Sequence, residues 1–264
     1  MKFSYLFIPF ILTIHAAQAQ KVEVGATIGI ANYTGDLAPY LVLSETKPTV
    51  GIFARYNFNH TWAVTAQVNQ LRISGDDANF SYNKPRNIRF RTDITEIAGV
   101  FEFNYFKYGP GVLDKRFTPY VYWGIGMIFF DPQGFYRNEW YSLRDYRTEG
   151  TAYSGITAVM PMGLGLKWMP NKKMSLECSI GYRLTYSDRL DDVSGKYPDI
   201  DKVLNEKGAI AAALTDPSAA LNEGVYQNKE GYQRGNPDFD DTYFTLNLTL
   251  TYRLFTRIKC ARFY

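Results

Sequence analysis

Apolar and polar residues alternate along most of this chain. From Phe244 to Phe255 the even positions are Phe244, Leu246, Leu248, Leu250, Tyr252 and Leu254, and the odd ones begin Thr245, Asn247, Thr249, Thr251 and Arg253. Period two sets these two groups on opposite faces of an extended strand. Seven further segments read the same way: 21–31, 49–58, 61–70, 95–106, 118–130, 156–168 and 173–186. Their apolar rows include Ile28, Ile52, Trp62, Phe101, Trp123, Leu164 and Cys178. Their polar rows are built of Gly, Thr, Ser and Asn with a few charges.

The connections alternate in length. Those spanning 33–48, 74–88, 131–153 and 187–242 are long, whereas "NFNH", "KYGPGVLDKR" and "MPNKK" are shorter. This asymmetry belongs to a barrel that crosses an outer membrane, with short periplasmic turns and long extracellular loops. A soluble sandwich or lipocalin-like barrel would instead show charges outside and turn its apolar rows inward. The pattern predicts an all-β, eight-stranded antiparallel transmembrane β-barrel of the outer-membrane type, with both termini in the periplasm. Its partner is then outer-membrane lipid. Trp62, Trp123 and Trp168, with Tyr56 and Tyr105, fall toward the short-turn ends, where an aromatic girdle meets headgroups.

Composition agrees with strands: Tyr (21), Phe (18) and Gly (21) are abundant. At the N-terminus Lys2, the apolar run "FSYLFIPFILTI" and the small residues Ala17 and Ala19 predict a signal peptide over 1–19, cut before Gln20. The barrel then occupies 20–264. Removing Lys2 from the 29 basic residues leaves 28 against 26 acidic ones. A near-neutral chain gives no basis for a nucleic-acid partner. With two cysteines, Cys178 and Cys260, this is not a disulfide-stapled scaffold. Cys178 falls on the apolar face, while Cys260 follows the last strand and is a thiol able to pair with another protein.

Six ionisable groups fall on the polar faces near the short-turn end: Glu23, Arg55, Glu102, Lys167, Glu177 and Arg253. Eight strands enclose a lumen just wide enough for side chains, so three acids and three bases there predict a paired charge plug. Glu23 with Arg253 and Lys167 with Glu177 are the expected pairs. Enzyme chemistry finds little support. His60 in the "NFNH" turn is the one histidine beyond the signal peptide, and imidazole-dependent hydrolysis needs a nucleophile and an orienting acid beside it. No cofactor is expected. Asp188, Asp191 and Asp192, with Asp238, Asp240 and Asp241, are hard oxygen ligands of the kind calcium takes. Their spacing matches no complete EF-hand loop, and solvated turn-forming acids are the expectation. The segment 205–224 reads as helical, with Asp216 as cap and Pro217 at the first helical position, a small insertion over the barrel mouth. Aromatics and arginines mix in "YRNEWYSLRDYR" (136–147), the composition of a contact surface.

Several stretches together resemble a known family. "NYTGDL" (32–37), "FRTDITEIAGVFEFNYF" (90–106), "FTPYVYWGIGMIFFDPQG" (117–134), "MPMGLGLKW" (160–168) and above all "YRLTYSDRLDDVSGKY" (182–197) resemble the PorG-like outer-membrane barrels of Bacteroidetes. The resemblance implies a non-enzymatic component of the type IX secretion machinery. Its expected partners are the periplasmic ring proteins PorK and PorN, which the barrel would anchor or position. Under that implication the docking elements are the C-terminal tail with Lys259 and Cys260, and the turn 107–117 with Tyr108, Asp114 and Lys115. The alternative to that role is a generic small barrel, like the OmpA or OmpX barrels, that stabilises the membrane or adheres to surfaces through its long loops.

Overall fold

The computed structural model describes residues 22–109 and 116–254. The signal-peptide segment, Asp114, Lys115, Lys259 and Cys260 lie outside the described residues. Eight staves form one closed antiparallel sheet: β1 (Val22–Thr34), β2 (Lys47–Asn57), β3 (Trp62–Asp76), β4 (Arg89–Asn104), β5 (Phe117–Tyr136), β7 (Ile156–Asn171), β8 (Met174–Thr185) and β9 (Thr242–Arg253). A short β6 (Glu139–Ser142) folds back on the end of β5. Neighbours follow chain order, β1 pairs with β9, and β4 pairs with β5 to complete the cylinder. The β5–β7 ladder lapses only where Gly124 and Ile125 face Met160 and Pro161, since proline supplies no N–H.

Through most of the cylinder the apolar rows point out and the polar rows point in. Ile28, Ile52, Ile125, Leu164, Ile180 and Leu248 are exposed, while Thr65, Glu102, Ser179, Asn247 and Thr251 are buried. Such polarity is the inverse of a soluble barrel and belongs to one that spans lipid. At the short-turn end Trp62 packs on Phe103 and Trp123 (centroids 4.8 and 6.3 Å), and Phe101 stacks on Trp123. Trp168 stands beside Phe117 in register. Cys178 is exposed in the outward row between Leu166 and Leu248.

Toward the long-loop end the polarity reverses. On β4 the inward positions become Phe90, Ile94 and their neighbours, all fully buried, while the outward row turns to Thr95, Asp93 and Arg91. Arg72 on β3 meets Asp93 on β4 in a half-exposed ion pair at 2.6 Å. These strands therefore rise out of the apolar band. Above it Tyr33, Leu37, Ile73, Phe80, Ile128, Phe130, Leu190, Val193 and Tyr243 close a second, water-soluble kind of core under the loops.

The loops add α1 (Leu143–Tyr146) and α2 (Ile200–Thr215). Helix α2 starts at Ile200 rather than near 205, because the Asp199 side chain accepts from the amides of Asp201 and Lys202 (3.0 and 3.4 Å) and caps it. Gly208 breaks it with φ 85°. Asp216 caps a separate 3-10 turn, Pro217–Leu221, rather than continuing α2. The stretch 136–147 forms the β5–β6 hairpin, turned by Arg137 and Asn138 at positive φ.

Leu248 is 58 % exposed at the middle of β9. Leu248→Arg is expected to destabilise the refolded protein in lipid vesicles by about 2–4 kcal/mol. Equilibrium unfolding in denaturant checks this.

Candidate functional site

The lumen is filled from the short-turn end by a ring of charge. Each of the six predicted groups comes from a different stave: Glu23 from β1, Arg55 from β2, Glu102 from β4, Lys167 from β7, Glu177 from β8 and Arg253 from β9, and all are buried. Arg55 is the hub. Its Nη1 and Nη2 donate to the two carboxylate oxygens of Glu177 (2.6 and 2.9 Å), its Nε to Glu102 (3.0 Å), and its Nη1 also to Glu23 (3.2 Å). Lys167 Nζ donates to the other oxygen of Glu102 at 2.5 Å and lies 4.3 Å from the Tyr120 ring centre. Arg253 donates to Glu23 and to the Lys172 carbonyl at 2.8 Å. Thr251 donates to Glu177 (2.8 Å), and Thr65 to Glu102. Three carboxylates and three cations thus neutralise one another inside a polar sleeve surrounded by hydrocarbon-facing residues.

The expected Glu23–Arg253 pair is present. The expected Lys167–Glu177 pair is not the one formed. The two residues are cross-strand neighbours, but Lys167 turns to Glu102 and Glu177 takes the bidentate face of Arg55. A planar guanidinium matches two carboxylate oxygens at once, whereas an ammonium cannot.

A second layer escaped the sequence reading. Glu96 on β4 meets Arg183 on β8 at 3.3 Å and accepts from Asn69 (2.7 Å), Gln67 (3.1 Å) and Tyr243 (2.8 Å). Strand parity carried the signal: Glu96 shares the inward row of Glu102, and Arg183 that of Glu177. Between the layers remains a cavity of about 50 Å³ bordered by Arg55, Glu177, Arg183 and Asn247. That volume holds a few waters and no continuous channel.

Tyr108, expected as a docking residue, turns inward. It is 7 % exposed, and its amide donates to the His60 carbonyl at 3.0 Å. It closes the barrel floor rather than presenting a ring to a partner. His60 in turn contacts the Tyr108 carbonyl through Nδ1 (3.2 Å). It ties two turns together rather than serving a nucleophile.

The long loops fold into a cap, and the acids of "DRLDDVSGKY" lie inside it. Asp191 and Asp192 are buried, not solvated turn residues. Asp191 accepts from the Val193 amide (2.8 Å), while Asp192 accepts from Tyr153 (2.6 Å) and Thr148. Asp188 differs, since both of its carboxylate oxygens are buried and accept no hydrogen bond from the chain. Among the described residues no group of three or more His, Cys, Asp or Glu side chains is arranged to hold a metal ion. Asp238 and Asp240 are exposed and Asp241 is buried.

The Tyr33 hydroxyl lies 2.6 Å from Asp191 Oδ2 and 2.7 Å from Asp241 Oδ1. One hydroxyl proton cannot serve two carboxylates, so one of these acids must donate its own. Burial, reinforced by the charges of neighbouring Asp241 and Asp36, pushes Asp191 well above the usual carboxylate range. Burial does the same to Asp241, with Asp188 and Asp36 adding repulsion. Asp188 is pushed up to about 7 by burial and by the charges of Asp36 and Glu149. Glu149 is matched by Arg189 (2.7 Å) and Arg234 (3.0 Å).

The family described as Domain of unknown function (DUF6089) matches residues 2–208, and the chain belongs to it. No curated protein matches. Among solved structures, the fold is similar to Neisserial surface protein A, at 9 % identity over 88 % of this chain and 97 % of that one, with a TM-score of 0.44. It is similar to OprG from Pseudomonas aeruginosa, at 9 % identity over 89 % and 97 %, with a TM-score of 0.46. It is also similar to Ail, the attachment invasion locus protein of Yersinia pestis, at 13 % identity over 88 % and 98 %, with a TM-score of 0.40.

Two outcomes are expected. Arg55→Met strands Glu23, Glu102 and Glu177 without their shared cation and costs about 3–5 kcal/mol, read as a lowered denaturation midpoint in micelles. For the cap, raised folded-state carboxyl pKa values mean that the native protein holds more protons than the unfolded chain. Stability therefore falls as pH climbs from about 4 through the folded values. Trp140, stacked 4.3 Å from the Arg91 guanidinium, reports cap unfolding by fluorescence. Its midpoint should be higher at pH 5 than at pH 8. Asp188→Asn should flatten the part of that slope below about 7.

Proposed function

We propose that this DUF6089 member is a non-enzymatic barrel of the outer membrane that serves type IX protein secretion by anchoring or positioning a periplasmic ring of the PorK/PorN type. The observation that carries the anchoring part is the packed lumen. A cylinder filled by two ion layers conducts no solute. Nor does the ring offer a nucleophile beside an imidazole base, so the work falls to the two ends. On this reading the short turns and the C-terminal tail face the periplasm and the cap faces outward. The ring itself is supported by the likeness of "NYTGDL" and "YRLTYSDRLDDVSGKY" to PorG-like barrels. With Tyr108 turned inward, docking falls to Lys259, Cys260, Asp114 and Lys115, beside the exposed Tyr105, Phe106 and Phe117.

A second reading, a small barrel that stabilises the membrane or adheres to surfaces, is favoured by the cap. Long folded loops with a buried core of their own are more than an anchor for a ring on the opposite side requires.

Crosslinking from Cys260 in intact cells, followed by purification under non-reducing conditions, separates the two. Anchoring predicts an adduct with a periplasmic ring protein that Cys260→Ser abolishes, and co-purification of the ring. A monomer with neither adduct nor ring sides with the second reading.

A further inference from the structure

The cap holds a cleft of about 590 Å³ that neither layer of lumen charge touches. Three loops build it. Asp36 comes from the β1–β2 loop, Tyr82, Asn83 and Arg86 from the β3–β4 loop, and Tyr197, Gln233 and Arg234 from the β8–β9 loop. Its size is that of a small-molecule site, but such sites are normally walled by apolar side chains. Here the wall carries six carboxamides, two tyrosines and no aliphatic side chain beyond Pro85.

The cleft is preformed. Arg86 staples the three loops, donating to the Arg234 carbonyl (2.6 Å), the Asp36 carbonyl (3.4 Å) and the Asp77 carboxylate (2.7 and 2.8 Å). Asp36 in turn accepts from the Asn236 amide at 2.7 Å. Arg234 spends its Nη1 on Glu149 and on the Asp192 carbonyl.

Two polar atoms in this wall remain without a protein partner. Arg234 Nε and the Tyr197 hydroxyl are both buried and both unbonded, on side chains among the most buried in the cap. Neither atom is accessible to solvent, so both lie behind the face of the wall rather than on it. The carboxamides of Asn83 and Gln233 likewise form no side-chain hydrogen bond to the chain, and Tyr82 is 64 % exposed at the rim.

The chemistry of these groups selects a ligand class. Both arginine charges are already matched by Asp77, Glu149 and Asp192, so the cleft offers a phosphate or sulfate no excess positive field. An apolar molecule finds almost no wall to cover. Carboxamides and a phenol donate and accept at once, as sugar hydroxyls do. An exposed tyrosine ring supplies a flat apolar face for the C–H side of a pyranose. We propose that this cleft binds a neutral sugar, as part of an oligosaccharide, with the carboxamides of Asn83 and Gln233 hydrogen-bonding its hydroxyls and Tyr82 packing on its ring. The proposal stands on the cap alone and is independent of any ring at the other end.

The test uses the full chain in an alkyl amine oxide detergent, since maltoside headgroups would compete. Titration calorimetry is run with maltohexaose, chitohexaose and mannohexaose, with sodium sulfate as the anion arm and purified lipopolysaccharide as the membrane-borne arm. Saturable binding of at least one oligosaccharide is expected, weakened about tenfold or more by Tyr82→Ala and by Gln233→Ala. Both residues are exposed, so the melting temperature of each variant should match that of the parent. Lipopolysaccharide binding that shows the same sensitivity, without binding of free oligosaccharide, assigns the sugar to the protein's own membrane. No saturation by any sugar source up to about 10 mM, sulfate binding in place of sugar, or sugar binding that ignores both substitutions overturns the proposal.

Discussion

Arg55 lies where a lone charge would be least tolerable, inside a narrow cylinder whose outer surface is hydrocarbon-facing. Moving a charge from water into such surroundings costs several kcal/mol even after relaxation. Three glutamates converge on it, Lys167 and Arg253 complete the neutralisation, and the hydroxyls of Thr65 and Thr251 take up remaining carboxylate lone pairs. The arrangement constrains everything around it. The staves must present small residues elsewhere on the inward rows so that six long side chains fit. The lumen is thereby filled rather than open, and function is displaced to the rims.

The same strands serve two solvents. Over the apolar band, outward Leu, Ile and Trp meet lipid and inward Thr, Asn and Glu meet one another. A few residues further, Arg72 and Asp93 face outward while Ile94 and Phe90 face inward. Nothing in the backbone ladder changes at that boundary, and β3 and β4 stay in register across it. Parity is preserved while polarity inverts. This lets a membrane barrel continue upward into a soluble-type core that holds the loops still enough to shape a cleft.

That inversion also explains which parts were legible in the sequence. The lipid-facing staves were readable because each residue's face follows from counting by two, as in the Leu246–Leu248–Leu250 row. The six charges of the lower ring were readable for the same reason, and Glu96 and Arg183 lay open to the same count. The first third of β4, 89–94, was assigned to neither strand nor loop, because "RFRTDI" keeps alternating but with its apolar members inward. Partner choice within the ring was illegible, since it depends on distances across the lumen and on the fork of a guanidinium. The acids of the cap read as solvated because loop burial has no period. Asp191 and Asp192 are held inside by Tyr33 and Tyr153, residues far from them in sequence.

The ring's longest reaches decide how the cylinder can and cannot move. Arg55 on β2 reaches Glu177 on β8 past β1 and β9, and Lys167 on β7 reaches Glu102 on β4 past β5, so these contacts join staves that share no backbone ladder. Parting any seam wide enough to admit an acyl chain would pull opposite charges away from each other with no water to receive them. Sideways opening therefore works against these ion pairs as well as against the backbone ladder. Once closed, the wall is held across its inside as well as along its seams, like a rivet through the bilayer.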